Sequence, residues 1–325
     1  MTRECWKLLL EAFPKWTEMK MRMVTNEPVE AIPRVDINDV EVIRLLGSGG
    51  FGSVFEATYN NRKVALKKFH TNTRNERAAM QSFEAELHQE VLSLKHPHIV
   101  RVLAANTARN LEDQPCIIME FVSTKNLQHV LDNANEKIDF ERRVRFAYEV
   151  ALALEYVHSN NIAHLDLKPA NVLITEDGSC KLADFGCCQI IEERPNTPSR
   201  SYLTGTYAYR APELLKGEGP TFKADVFSLG ICLWQFWTRE IPYGLKNHQM
   251  VMFQVVAFNL RPEIPKGNDV DNRYRELMTS SWSGNPSDRP SMPEVVNLLK
   301  SLSPWRDNSS WYLKVVKFYF TGQFY

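Results

Sequence analysis

HLDLKPANVLITEDGSCKLADFG, residues 164–186, reads as a short loop, a strand hairpin and a second short loop. His164, Asp166, Lys168 and Asn171 fall within eight residues. The Asp177-Gly178 pair is a hairpin signal, and Ile174 and Leu182 flank it as apolar strand positions. The hairpin carries Asp184, Phe185 and Gly186 back beside the first loop. Two carboxylates and one amide are therefore expected to converge. That donor set suits phosphoryl transfer from ATP. One carboxylate must take the proton of an attacking hydroxyl. A second, with an amide oxygen, must hold Mg²⁺ against the phosphates.

A phosphate cradle is expected upstream. Leu46-Gly47-Ser48-Gly49-Gly50-Phe51-Gly52-Ser53-Val54 has the spacing G-x-G-x-x-G-x-V. Dinucleotide folds share the glycines, but there a helix follows them. Here strand-like alternation lies on both sides, so the glycines form a hairpin tip whose backbone approaches phosphates without Cβ obstruction. The third strand, Val64-Ala65-Leu66-Lys67, supplies Lys67 as a ligand for the α- and β-phosphates. Residues 76–95 carry helix formers, with Phe83, Leu87, Val91 and Leu94 at helical spacing. One glutamate of that helix is expected to pair with Lys67. Glu86 is the first choice, and Glu90, one turn further on the same face, is the alternative. Residues 115–122 read as a buried strand, with Met119 at the back of an adenine pocket and Glu120 to Val122 as a hinge. From residue 127 onward helical patterns dominate, including one over 140–162. Strands first and helices later predict an α+β, two-lobed fold.

The whole chain sets limits. Its 325 residues suffice for one large domain or two lobes around a cleft. Lys plus Arg equals Asp plus Glu, so no bulk attraction to nucleic acid or an anionic membrane is expected. The six cysteines form no C-x-x-C pair, which predicts reduced thiols in a cytoplasmic protein. No apolar run is long enough for a membrane span, and residues 1–16 lack the pattern of a signal peptide. Residues 1–39 read as an N-terminal extension, 40–302 as the catalytic domain and 303–325 as a C-terminal tail with the aromatic run WYLKVVKFYF. The extension is expected to pack on the domain, or else to dock a partner or control stability; the tail is expected to pack on the large lobe or form a disordered hydrophobic end, or else to dock a partner or touch a membrane.

These motifs resemble the eukaryotic protein kinases over about residues 40–302. Ala211-Pro212-Glu213, Asp225 and Arg289 add to the match. A finer resemblance is to the Mos family, germ-cell serine/threonine kinases active in meiosis, upstream of the mitogen-activated protein (MAP) kinase cascade. It rests on His164-Leu165-Asp166, on Leu214-Leu215-Lys216-Gly217-Glu218-Gly219, and on stretches such as Ile117-Ile118-Met119-Glu120-Phe121. The resemblance implies that Gly47, Gly49 and Gly52 cover the phosphates, and that Val54, Ala65 and Leu173 sandwich adenine. It implies that Asp166 is the base and that Lys168 neutralises the γ-phosphate. It implies Asn171 and Asp184 as metal ligands, Thr206 in contact with Asp166 and Lys168, and Arg289 paired with Glu213. The implied partner is a protein substrate, a MAP kinase kinase, acted on by a monomer. A pseudokinase scaffold and another tyrosine-kinase-like serine/threonine kinase are the alternatives.

Three departures stand out. Leu165 replaces the usual arginine before the catalytic aspartate, so a strict need for activation-loop phosphorylation is not expected. Glu90 stands where an apolar residue is usual, so either the helix register shifts or Val91 fills the gap. Ser123-Thr124-Lys125-Asn126 after the hinge lacks glycine.

Overall fold

The alternation over residues 41–69 becomes three antiparallel strands: β1 (Glu41–Ser48), β2 (Gly52–Tyr59) and β3 (Arg62–Phe69). The computed structural model describes residues 32–50, 52–70, 76–106, 115–191, 206–266 and 270–303. The β2–β3 turn uses Asn60 (φ 50°) and Asn61 (φ 56°), the pair of left-handed residues that matches the twist of a two-residue hairpin. β4 (Val102–Asn106) and β5 (Cys116–Glu120) complete a sheet in the order β1-β2-β3-β5-β4. The two-residue period of a strand sorts its side chains between two faces. On one face Val64, Leu66, Cys116 and Ile118 bury against Val35, Val40 and Ala57. The other receives Phe69 and Ile117, which pack against Phe83 of the helix α1 (Glu76–Glu86). Lys67 has the parity of Phe69, so it faces α1.

The expected single helix over 76–95 is instead two. α1 ends at Glu86, His88 leaves helical geometry, and α2 (Gln89–Leu92) follows. The break turns Val91 into the main core with Leu94 and Ile99. Glu90 swings outward and pairs with His88. Burying side chains of this size stabilises by about 1.5–3 kcal/mol each, more than the few helical hydrogen bonds lost. Val91 thus fills the place where Glu90 stands in the sequence pattern.

The large lobe is helical: α3 (Leu127–Asp132), α4 (Phe140–Ser159), α5 (Pro212–Leu215), α6 (Phe222–Thr238), α7 (His248–Ala257), α8 (Asn272–Ser281) and α9 (Met292–Leu302). Asp139 caps α4 by accepting from Arg142 N at 2.8 Å. The helical pattern read to residue 162 stops at Ser159, because Asn161 turns left-handed (φ 58°) and Ile162 enters a strand. α6 is mostly apolar and is buried from Ala224 to Trp237, with Asp225, Ser228 and Gln235 as its buried polar residues. Short strands β6 (Ile162–Ala163), β7 (Val172–Ile174), β8 (Cys180–Leu182) and β9 (Gln189–Ile190) lie where the helical lobe meets the sheet lobe, β6 pairing β9 and β7 pairing β8. Val100 N donates to Leu182 O at 2.9 Å, joining the lobes. Among the described residues no helix is long and apolar enough to cross a membrane. The N-terminal extension to residue 31 and the aromatic tail from residue 304 lie outside the described residues.

Candidate active site

Asp225, fully buried on α6, organises the loop that carries Asp166. Its Oδ2 accepts from His164 N at 2.8 Å and its Oδ1 from Leu165 N at 2.7 Å. Leu165 is held at φ 64°, a conformation that costs a non-glycine residue about 1–3 kcal/mol. Two charge-assisted hydrogen bonds offset that strain. Burial opposes the Asp225 charge, but His158, 2.8 Å away, and the backbone donors hold its carboxyl below the usual carboxylate range. The Leu165 side chain packs against the main core, so no cation projects from this position.

At the far end of the loop Asp166, Lys168 and Thr206 form one cluster. Lys168 Nζ donates to Asp166 Oδ2 at 2.8 Å and to Thr206 Oγ1 at 2.7 Å. Thr206 N donates to Asp166 Oδ1 at 3.1 Å. Asn171 Nδ2 donates to Asp166 Oδ2 at 3.0 Å, which places the amide beside the carboxylate. Ala183 N donates to Asn171 O at 2.9 Å, so the loop with Asp184 is fastened to the loop with Asn171. His164 adds a second fastening: its Nε2 lies 3.1 Å from Ala183 O, and its ring meets Phe185 edge-on.

Lys67 bridges the lobes. Its Nζ contacts Glu86 Oε1 and lies 2.9 Å from Asp184 Oδ1. Glu90 takes no part. Burial opposes charge throughout this trio and alone would drive Glu86 toward neutrality. Even with the Lys67 ammonium in direct contact, burial and the neighbouring Asp184 raise the Glu86 carboxyl to about 7, whereas Asp184 and Glu86 hold the Lys67 pKa above the ordinary lysine value. Lys67 holds the Asp184 carboxyl down to about 2. Gly186 sits against the trio. A Cβ there would overlap Ser82 Oγ and come within 2.9 Å of Glu86 Oε1, so a side chain at this position would push both groups away from the trio.

The glycine hairpin closes with Gly49 N donating to Gly52 O at 2.8 Å and Ser48 Oγ 2.9 Å from Ser53 Oγ. A Cβ on Gly47 or Gly50 would meet nothing within 4 Å, so the open side of the tip is free backbone surface. Leu46 leads into it at the end of β1, and Phe51 lies outside the described residues. In the sheet register Val54 stands opposite Lys67 and Ala65 opposite Met119, and Leu173 lies on β7. Glu120 is bound by its side chain, accepting from Arg101 N at 2.9 Å and pairing with Lys181 at 2.6 Å. Val122 follows in the hinge. The glycine-free segment after it is tied down: Ser123 Oγ donates to Ile174 O at 2.5 Å, and Ile174 N donates to Lys125 O at 2.8 Å.

The donor set fits the groups the chemistry requires. Asn171, Asp184 and Asp166 offer oxygen donors, which suit a hard cation such as Mg²⁺. Among the described residues no group of three or more His, Cys, Asp or Glu could cage a metal. Few protein ligands, with phosphates supplying the rest, is the usual arrangement for Mg²⁺.

Sequence reasoning missed two supports. Glu149 is fully buried on α4, accepting from Arg145 Nε at 2.9 Å and from Cys180 N at 2.6 Å, and so braces β8. In sequence Arg145 and Glu149 are an ordinary i,i+4 helix-surface pair. Lys181–Glu120 joins residues 61 apart and left no local signal.

The protein kinase domain family matches residues 40–299. The chain is 46% identical over 267 residues to the serine/threonine-protein kinase mos of Patiria pectinifera, covering 81% of this chain and 75% of that one. It is 40% identical over 279 residues to the serine/threonine-protein kinase mos of Xenopus laevis, covering 82% and 77%. It is 38% identical over 287 residues to the proto-oncogene serine/threonine-protein kinase mos of Sus scrofa, covering 82% of each.

Proposed function

Since this chain belongs to the Mos family of serine/threonine protein kinases, we propose that its protein substrate is a MAP kinase kinase and that it acts at the head of that cascade in germ cells. The observation that carries the reading is the single intact assembly of Lys67, Glu86 and Asp184 with Asp166, Lys168 and Asn171. A scaffold that signals by binding alone has no need of it.

In this reading Lys67, held by Glu86, contacts the α- and β-phosphates of ATP beneath the glycine tip of residues 47–52. Val54, Ala65 and Leu173 enclose adenine, with Met119 behind it and the backbone of Glu120 to Val122 as hinge. Asn171 and Asp184 would hold Mg²⁺, which would neutralise charge on the phosphates. Asp166 accepts a hydrogen bond from the acceptor hydroxyl and takes its proton as the new phosphorus–oxygen bond forms and the bond from the γ-phosphorus to the departing ADP oxygen breaks. Lys168, anchored between Asp166 and Thr206, meets charge developing on the γ-phosphoryl oxygens. The active unit is a monomer.

The test is transfer of labelled phosphate from Mg-ATP to a kinase-dead MAP kinase kinase, with wild type and Asp166→Asn side by side. Transfer by wild type alone supports the whole reading. Autophosphorylation without transfer to that substrate would keep the catalytic roles and remove the substrate assignment. ATP binding with no transfer at all would favour the scaffold.

A further inference from the structure

From Ile241 to Leu260 the chain runs for twenty residues with one formal charge, Lys246. At the chain's overall 24% charged content about five would stand there. The segment is nevertheless a surface. Leu245 is 99% exposed, Phe258 71% and Phe253 59%, with Ile241, Met250 and Val256 exposed beside them. α7 is two-sided in a specific way. Val251 and Val255 pack inward against Tyr243 and Ala208. Met250, Phe253 and Val256, at helical spacing, form an outward apolar stripe, and Phe253 meets Phe258 edge-on at 5.6 Å between centroids.

The helix that carries the stripe packs by its inner side on the segment leading to the acceptor end of the catalytic site. Thr206 is hydrogen-bonded to Asp166 and Lys168. The next residue, Tyr207, lies with its ring 6.1 Å from that of His248 at the start of α7. Ala208 belongs to the apolar cluster beneath the stripe. A folded protein whose hydroxyl reaches Asp166 therefore has α7 as a near neighbour. Charge depletion with exposed aromatics and Met marks the centre of a protein–protein interface rather than ordinary surface. Membrane-surface helices carry a Lys/Arg-rich polar face, which this segment lacks.

We propose that the face formed by Leu245, Met250, Phe253, Val256 and Phe258 docks the folded protein substrate through an apolar, weakly charged surface of that substrate. Docking here governs affinity for the protein and leaves the chemical step untouched. The proposal rests on the MAP kinase kinase reading above.

The experiment compares a kinase-dead MAP kinase kinase with a peptide copying its acceptor segment, using wild type, Leu245→Asp and a Phe253→Ser/Phe258→Ser double variant. These side chains are exposed, so the variants fold, and peptide turnover verifies that. kcat/KM on the folded protein is expected to fall by at least about tenfold, mainly through KM, with the peptide rate kept within about twofold. Equal losses on both substrates, or no loss on either, would overturn the docking surface while leaving the substrate assignment standing. Failure of wild type to phosphorylate either probe would overturn the substrate assignment and the docking with it. If kinetics are unchanged but the variants lose self-association in sedimentation, or lose binding to phosphatidylserine-containing vesicles, the face belongs to a second copy or to a membrane and the proposal fails.

Discussion

Asp166 is held by three donors at once, from Lys168, Asn171 and Thr206. Asp166→Asn keeps the shape and removes the proposed base. It is expected to lower kcat by several hundredfold, about 3–4 kcal/mol of transition-state stabilisation, with KM for ATP nearly unchanged; steady-state kinetics on folded variant check this. Glu86 and Glu90 separate just as sharply. Glu86→Gln should cost at least about a hundredfold in kcat, whereas Glu90→Gln, on the solvent side, should stay within about twofold. The reverse ranking would mean that Glu90 supports Lys67. Asp225 makes a pH prediction. Its folded pKa lies below its unfolded value, so the stability it contributes is present above about pH 4 and is lost as pH falls through the folded pKa. Asp225→Asn should destabilise by about 1.5–3 kcal/mol near neutrality and flatten the acid limb. Thermal midpoints of both proteins between about pH 3 and 7 measure it, and parallel acid limbs would contradict the assignment.

The α1–α2 break shows an element yielding to its surroundings. Helix propensity favours one continuous run over residues 76–95, but the core pulls in Val91 and excludes Glu90. The catalytic loop shows the same logic in miniature. Leu165 adopts a strained backbone and packs inward, which leaves nothing at that position to grip a phosphate on the activation segment. Thr197, Ser199, Ser201 and Thr204 of that segment lie outside the described residues. Replacing all four by alanine is expected to leave activity within about threefold, because phosphate on this segment normally acts through an arginine that is missing here. Complete loss of transfer in a variant that still unfolds cooperatively would refute that independence.

The two lobes communicate through the contacts of Lys67 and Val100, and the helical lobe is braced separately by Arg289 and Glu213. Their side chains are almost fully buried and paired twice, at 2.6 Å and 2.7 Å. Arg289 also donates to Lys223 O at 2.8 Å and lies over Phe227, so it knits the loop before α9 to α6. Removing one partner strands a buried charge. Arg289→Ala should therefore destabilise the folded domain by about 3–5 kcal/mol in urea unfolding. Because this pair touches neither Asp166 nor Lys67, activity per folded molecule should fall far less than in Asp166→Asn.

The candidate site was legible in the sequence because its proposed groups sit on short loops with rigid local spacing. Asp166, Lys168 and Asn171 are within one loop, Asp177-Gly178 closes the hairpin that returns Asp184, and three glycines can form a tip only between strands. The two-lobed fold followed from where period-two alternation gives way to helical spacing. What the sequence left open was which groups meet across distance. Glu86 and Glu90 share a face on a continuous helix, and only burial of Val91 separates them. Arg145 and Glu149 read as a solvated pair, until packing of α4 against β8 buries Glu149. The apolar composition of residues 241–260 was visible, but its division into an inner and an outer face was not. Local pattern encodes backbone geometry; the choice of partner depends on small differences in burial energy among elements far apart in the chain, which exist only once those elements are packed together.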